Sequence, residues 1–178
     1  MTVLSEPIQG DFVGAVMLDA LACLETALEA AQRPVGTVSL IPGGLPAWDN
    51  CCENGGQAWV RLVRQFPTLG PGAPWPNFDT QQQCGVSGVG IELGVGINRC
   101  SKAFGNEYTG APPSADRMTG EALGMTADAF LTLRALRCCT SLAGAAAKFG
   151  QWSPQGAGGG CVGGEWSVLL LTDVCACP

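Results

Sequence analysis

The chain has no histidine among its 178 residues. Histidine is the usual general base at neutral pH and a common metal ligand, so Ser-His and Cys-His nucleophile pairs are impossible within one chain. The sequence also lacks a G-x-S-x-G elbow, a Walker loop, an H-E-x-x-H helix and an EF-hand loop. These absences predict a protein with no catalytic residues, no cofactor and no metal, and therefore not an enzyme.

Charge is scarce as well. Only 13% of the residues are charged, against about a quarter in ordinary domains. The net charge is −6 and the sequence pI is about 4.5, with nine scattered Lys and Arg residues. Such a composition argues against direct binding of nucleic acid, which needs a basic surface. A surface this poor in charge favours contacts with other protein subunits.

Long apolar segments and a signal peptide are missing too. The start "MTVLSEPIQGDF" has no basic region followed by an apolar run. The stretches "FVGAVMLDALACLETAL" and "WSVLLLTDVCAC" are interrupted by acids or too short to span a bilayer. We therefore expect synthesis in the cytoplasm and no contact with a membrane.

Ten cysteines conflict with that compartment, because the cytosol disfavours stable disulfides. Free buried thiols, metal ligands, and oxidation after release from the cell in a particle all stay open. The chain has no C-x-x-C knuckle, which argues against a zinc site. The candidate disulfide or structural thiols are Cys23, Cys51, Cys52, Cys84, Cys100, Cys138, Cys139, Cys161, Cys175 and Cys177.

Carboxylate pairs are the remaining catalytic option. Asp49 with Glu53, or Glu92 with Glu165, has the composition of a glycosidase pair. With 15 acidic residues in the chain, neighbours of this kind are expected by chance, so they do not by themselves identify a site.

The hydrophobic pattern predicts helices over 11–31 and from Ala115 to about Ala147. It predicts strands in "TVSLIPGG", over 57–66, in "GVGIELGVGINRC" and over 165–176. The second helix is expected to be mostly buried, and "SPQGAGGGCVGG" is expected to be a glycine loop. The fold class is therefore α+β: two helices packed on a mainly antiparallel sheet, with long Gly/Pro loops, in a single domain over 1–178.

Tryptophan and arginine supply the candidate interface. The tryptophans stand at strand starts or in loops, where aromatic rings either pin loops or anchor protein contacts. Strand alternation places Arg61 and Arg64 on opposite sides of their strand, so at least one should meet an acidic group. The candidate interface residues are Trp48, Trp59, Arg61, Arg64, Trp75 and Trp152.

Four segments carry a resemblance to known proteins. They are "VSLIPGGLPAWDNCCENGGQAWVRLVRQFPT", "GIELGVGINRC", "PPSADRMTGEALGMTADAFLTLRALRCC" and "GQWSPQGAGGGCVGGEWSVLLLTDVCACP". Together they resemble proteins encoded in the structural-gene region of actinobacterial long-tailed phages, which belong to the head-to-tail connection, or neck. The order of helix, sheet, long helix and final strand is similar to that of phage tail terminators.

The resemblance implies a structural virion protein of the neck. A tail terminator forms a ring, usually of six subunits, that caps the tail tube, ends its polymerisation and docks on the head–tail connector. The implied partners are further copies of the chain, the tail tube protein and the connector or stopper proteins, with DNA only passing through the lumen. The implied location is the virion neck, assembled in the host bacterial cytoplasm.

Two other functions stay open. The long loops and ten cysteines depart from tail terminators, so another neck ring protein, a stopper or an adaptor, is an alternative. From a different class, the chain is compatible with a disulfide-rich secreted binding domain, or with a small redox or metal protein using Cys51 and Cys52.

Overall fold

The computed structural model describes residues 12–44, 51–52, 55–68, 88–101, 113–144, 147–158 and 160–173. Within these residues three helices and five strands follow one another. In chain order they are α1 (Phe12–Ala30), β1 (Thr37–Ile41), β2 (Gln57–Thr68), β3 (Gly88–Cys100), α2 (Ala115–Arg137), α3 (Thr140–Gly144), β4 (Lys148–Gly158) and β5 (Cys161–Asp173).

The strands form one sheet in the order β1-β2-β3-β5-β4. β1 runs parallel to β2, and the other three pairings are antiparallel. The predicted α+β fold, with helices on a mainly antiparallel sheet, is confirmed. β5 lies between β3 and β4, as expected for a strand that is apolar on both faces.

The hydrophobic core lies between the helices and one face of the sheet. α1 contributes residues spaced by four, which fall on one stripe of a helix: Val16, Ala20, Leu24 and Leu28. β3 contributes every second residue: Ile91, Leu93, Val95 and Ile97. Each fully buried Leu or Ile stabilises the fold by about 1.5–3 kcal/mol relative to an exposed one, so these stripes fix how the helices sit on the sheet.

A β-bulge changes the predicted faces of β2. The register between β2 and β3 shifts between Leu62 and Arg64. A bulge adds one residue to the strand, so the side chains beyond it move to the other face. The prediction that Arg61 and Arg64 face opposite sides is therefore wrong, and both lie on the sheet face away from the helices.

α2 is shorter and more exposed than the sequence predicted. Ser114 caps its start, accepting a hydrogen bond from the Arg117 N–H at 3.4 Å, as expected. The helix ends at Arg137, and α3 follows after a break at the two cysteines. Only one stripe is buried, so the prediction of a mostly buried helix is wrong: Leu123 and Phe130 are 66% and 69% exposed.

The last third of the chain contains a strand that the sequence pattern did not reveal. β4 covers much of the segment predicted as a glycine loop and forms a hairpin with β5. Two register shifts in β4, after Phe149 and after Gln155, break the alternation of apolar and polar residues that normally marks a strand. Gly160 has φ +79°, a conformation that favours glycine and allows the tight turn into β5.

Candidate functional site

The centre of the sheet face away from the helices is occupied by Glu165 of β5. Its Oε2 accepts hydrogen bonds from the Trp59 indole N–H at 2.8 Å and from Arg61 Nε at 2.7 Å. Its Oε1 accepts a third from Arg61 Nη2 at 2.7 Å, which completes a bidentate pair. Arg61 Nη1 also donates to the Gly43 carbonyl at 3.0 Å, so the arginine fastens the end of β1 to the sheet.

The bond to Glu165 raises the pKa of the Arg61 guanidinium, against the opposing effect of burial, and the charges of Glu165 and Glu92 raise it further. The guanidinium therefore keeps its charge and its two bonds throughout the physiological range. The pair is largely shielded from water, with 14% and 11% of the two side chains exposed.

Two glycines of β3 make room for this cluster. A Cβ at Gly94 would collide with the Glu165 carboxylate, and one at Gly96 would collide with the Trp59 ring and the Gly164 carbonyl. The part of this β3 face where Gly94 and Gly96 leave space is therefore covered by side chains from β2 and β5. The cross-strand register fixes this arrangement, since Gly96 pairs with both Trp59 and Glu165.

A second ion pair lies on the same sheet face, toward the C-terminal end of β2. Arg64 Nε donates to Glu92 Oε2 at 2.6 Å, and the Ser167 hydroxyl donates to Glu92 Oε1 at 2.8 Å. The Arg64 guanidinium carbon lies 5.9 Å from the centre of the Phe66 ring, within cation–π range. Arg64 is half-exposed, so this pair contributes less than the buried one.

The two glutamates that the sequence offered as a catalytic pair do share a face. Each carboxylate, however, accepts hydrogen bonds from an arginine and from a second donor. Carboxylates whose oxygens are occupied in this way are poorly suited to take a proton from a substrate or to attack it. The arrangement ties β2, β3 and β5 together on the sheet face opposite the described helices. Asp49 and Glu53 lie outside the described residues.

A buried carboxylate on the helix side joins α1, β3 and α2. Asp128, 3% exposed, accepts from Arg33 Nε at 2.8 Å and from Arg99 Nε at 2.6 Å. Arg99 Nη2 also donates to the Arg33 carbonyl at 2.7 Å. The hydrogen bond to Asp128 is the largest cause of the raised pKa of Arg33, with burial opposing it.

The sequence contains one signal for this cluster. Asp128 belongs to the buried stripe of α2, whose other members are Ala129, Thr132, Ala135 and Leu136. An acidic residue at such a position requires a cationic partner, because an unpaired buried charge is very costly. Which arginine supplies the partner depends on the fold, since Arg33 and Arg99 are distant in sequence.

Six cysteines lie in three pairs at disulfide distance. Cys23 and Cys139 join α1 to the start of α3, with their Cα atoms 5.8 Å apart. Cys51 pairs with Cys161 and Cys52 with Cys100, with Cα separations of 6.1 and 4.4 Å. Cys138 is free and exposed, whereas the adjacent Cys139 is buried and paired with Cys23.

The two bonds of Cys51 and Cys52 form a clamp at one end of the three central strands. Cys100 and Cys161 are directly opposite each other on β3 and β5. The two adjacent cysteines before β2 therefore bond to two paired residues of neighbouring strands. Both pairs therefore tie the segment before β2 to the ends of β3 and β5, which lie inside the sheet rather than at its outer strands.

One group in the described part of the chain has the composition of a metal site. Asp19, Cys23 and Cys139 offer ligand atoms within 4.8 Å of one another. Metals bind thiolates, and the two sulfurs here are joined to each other, so the pair in this state offers poor ligands. The Asp19 carboxylate accepts a hydrogen bond from the Ser141 N–H at 3.3 Å, which ties α1 to α3.

The structure places the predicted interface residues in different environments. Trp59 is fully buried within the chain, so its assignment as an interface residue is corrected. Arg61 is bound by Glu165 and 14% exposed, and its assignment stays a prediction. Trp152 is half-buried and packs against Trp166 with ring centroids 5.8 Å apart. Arg64 is half-exposed and stays a candidate. The other predicted positions lie outside the described residues: Trp48, Trp75, Cys84, Cys175 and Cys177.

An open groove of about 370 Å³ runs between α2 and the β4–β5 hairpin. Its lining is mainly apolar and includes Met118, Met125, Pro154 and Val162. Glu121 is its one ionisable group among the described residues, and that carboxylate accepts a hydrogen bond from the Ser101 hydroxyl at 2.7 Å. The groove therefore offers shape and apolar surface rather than a set of converging polar groups.

The two outer strands of the sheet are the remaining surfaces of interest. Within the described residues β1 pairs with β2 alone, and β4 with β5 alone. β1 contains neither charge nor proline, and Leu40 on it is 36% exposed. β4 carries Pro154 and two irregularities of register, which limit pairing along it to short segments.

No protein-family model matches the chain, and no curated protein is significantly similar to it in sequence. Among the described helices, none combines the length and the apolar character that crossing a bilayer requires.

Proposed function

We propose that the protein is a structural subunit of a phage neck, a tail-terminator-like protein that assembles into a ring, caps the tail tube and joins the tail to the head connector. The observation that supports this most is the pair of outer strands at opposite edges of one sheet. If β4 of one subunit meets β1 of the next, the same contact repeats around a ring. Rings of this kind need matching edges and no catalytic group.

The two edges suit each other in length. β1 is five residues long, so it needs only a short segment of partner strand, such as β4 offers on either side of its irregularities. An unprotected apolar edge is otherwise a liability, because it invites pairing with other chains. A regular contact between subunits would cover it.

The element order supports the same proposal. In chain order, α1 precedes the strands and α2 comes between β3 and the last two strands. β5, the last strand of the chain, lies inside the sheet. This order agrees with what the resemblance to tail terminators implies, with β4 as an additional strand. The disulfides fit a protein that is made reduced in the cytoplasm and oxidised after the particle is released.

The ring is tested on the purified full chain by sedimentation velocity and negative-stain electron microscopy. We expect closed rings of uniform subunit number, and a smaller species for Leu40→Lys, because a charge on β1 opposes strand pairing. Leu18→Lys is the matched control: Leu18 is 40% exposed on α1 and belongs to neither edge strand, so its variant should form rings. A wild-type chain that stays monomeric at every concentration would overturn the ring.

The place in the neck is tested separately with the tail tube protein of the same phage. Added during polymerisation of that protein, the ring should bind one end of each tube and fix its length, whereas Leu40→Lys should not. A ring that binds the connector but leaves tube length unchanged would assign it instead to a stopper or an adaptor.

A disulfide-stabilised secreted binding domain is the second candidate, and the three cysteine pairs favour it. Such a domain would be monomeric with its apolar groove beside α2 occupied by a ligand. The sedimentation experiment separates the two, since only the neck subunit requires a ring.

A further inference from the structure

The outward face of α2 carries a seven-position stripe of exposed residues. Its members are spaced alternately by four and three residues, the pattern by which two helices pack along a seam. All seven are exposed: Asp116, Gly120, Leu123, Ala127, Phe130, Arg134 and Arg137. We call this set the α2 stripe.

The α2 stripe is distinct from the face that holds α2 on the sheet. The buried residues of the helix lie on its other side, around Asp128 and Leu136. Leu123 and Phe130, at the centre of the stripe, are more exposed than any other large hydrophobic side chain in the described residues. Scattered apolar side chains are normal on a surface, but two of this size aligned on one helix indicate a contact.

The charges of the stripe are separated along the helix. Asp116 lies at its start, and Arg134 and Arg137 lie in its last turn. Among the described residues these three side chains form none of the salt bridges, which involve other arginines. Two such helices side by side and parallel would place arginines against arginines, whereas an antiparallel pair would place each arginine end against an acidic end.

The spacing is self-complementary in the antiparallel arrangement. Leu123 and Phe130 lie equally far from a point between Thr126 and Ala127, and so do Asp116 and Arg137. A two-fold axis through that point would bring Leu123 against Phe130 of the partner subunit, and Asp116 against Arg137 of the partner subunit. Ala127 is small, so the helix backbones can approach closely at the axis.

We propose that α2 is a dimerisation element that pairs with α2 of a second copy of this chain, antiparallel and about a two-fold axis near Ala127. The contact uses the helix layer, whereas the proposed ring uses the edges of the sheet. It therefore does not rest on the neck function, and it would join two subunits that are not neighbours in one ring.

Cysteine crosslinking tests the geometry directly in the full chain. In a Cys138→Ser background, Ala127→Cys lies next to the axis and should form a covalent dimer under mild oxidation. Ala22→Cys, on the exposed face of α1, should not. Adding Leu40→Lys should leave the Ala127→Cys crosslink unchanged, which separates failure of the ring from failure of this contact. A crosslink equally strong at both positions, or at neither, would overturn the proposal.

Charge exchange tests the pairing of the ends. Asp116→Arg alone and Arg137→Asp alone should each weaken dimerisation about tenfold, because each places like charges together, and the double variant should restore it. Leu123→Glu should abolish the dimer, while Leu18→Glu on α1 should not. A double variant no better than the single ones, or a Leu123→Glu protein that dimerises as wild type, would count against the contact.

Discussion

At the scale of single residues, the carboxylate of Glu165 joins β5 to β2. Glu165 accepts from Trp59 and twice from Arg61, in a position with little access to water. Removing one partner of a buried pair leaves the other charge uncompensated, which costs about 3–5 kcal/mol. We expect Glu165→Gln to approach this loss in the free energy of unfolding, measured by urea denaturation.

The exposed pair on the same face provides the control for that measurement. Arg64 is half-exposed, and exposed pairs contribute about 0–1 kcal/mol. Arg64→Gln should therefore change the stability far less than Glu165→Gln. Equal losses for the two variants would mean that burial does not set the strength of these pairs.

The raised pKa of Arg61 adds no pH dependence to the stability below strongly alkaline pH. The stability that comes from a raised pKa is complete at lower pH and is lost only as the pH rises through that pKa.

The close packing around the glycines of β3 allows a second prediction for single residues. A methyl group at Gly96 would meet the Trp59 ring and the Gly164 backbone, neither of which has room to move. We expect Gly96→Ala to destabilise the protein by at least about 1–3 kcal/mol, the usual cost of overpacking. Gly124→Ala on α2 meets only the end of Arg33 at 3.9 Å and should stabilise by about 0.5–1 kcal/mol. Thermal unfolding should show a lower melting temperature for Gly96→Ala and a higher one for Gly124→Ala. An unchanged melting temperature for Gly96→Ala would contradict the prediction.

At the scale of elements, two disulfides add covalent links between strands that are otherwise joined by backbone hydrogen bonds. Cys51–Cys161 and Cys52–Cys100 hold the start of β2 to paired residues of β3 and β5. We expect Cys51→Ala with Cys161→Ala to lower the free energy of unfolding by about 2–5 kcal/mol, and Cys138→Ser, which removes a free exposed thiol, to leave it unchanged. The pairing itself is checked by mass spectrometry of peptides from an unreduced digest; a Cys51–Cys52 peptide joined to other cysteines would contradict the clamp.

The sequence predicted the elements with regular patterns and missed those whose pattern is interrupted. α1, β2 and the core face of β3 were predictable because their apolar residues recur at the helical or strand period. β4 and the orientation of Arg64 were not, because bulges shift the alternation by one residue and depend on the partner strand. The Glu165 cluster was out of reach for the same reason: its members meet only through the register of three strands.

At the scale of the whole molecule, net charge decides how the proposed neck ring would interact with DNA. The chain carries −6, and the described arginines nearest the sheet face are paired with carboxylates. An acidic ring around a channel would repel the duplex and let it pass, whereas phosphate binding requires unpaired Lys and Arg. We expect no retention of duplex DNA by the purified protein in a filter-binding assay at about 50 mM salt, where phosphate contacts are strongest.

A charge variant turns that absence of binding into a controlled measurement. Glu92→Lys removes a carboxylate and adds a cation on the sheet face beside Arg64, so it should introduce weak DNA binding that disappears as salt is raised, if this face lines the channel. Glu25→Lys, on the exposed side of α1, makes the same change of charge elsewhere and should have a smaller effect. Salt-sensitive DNA binding by the wild-type chain would contradict the repelling channel, because it would show that basic groups are presented to the duplex despite the net charge.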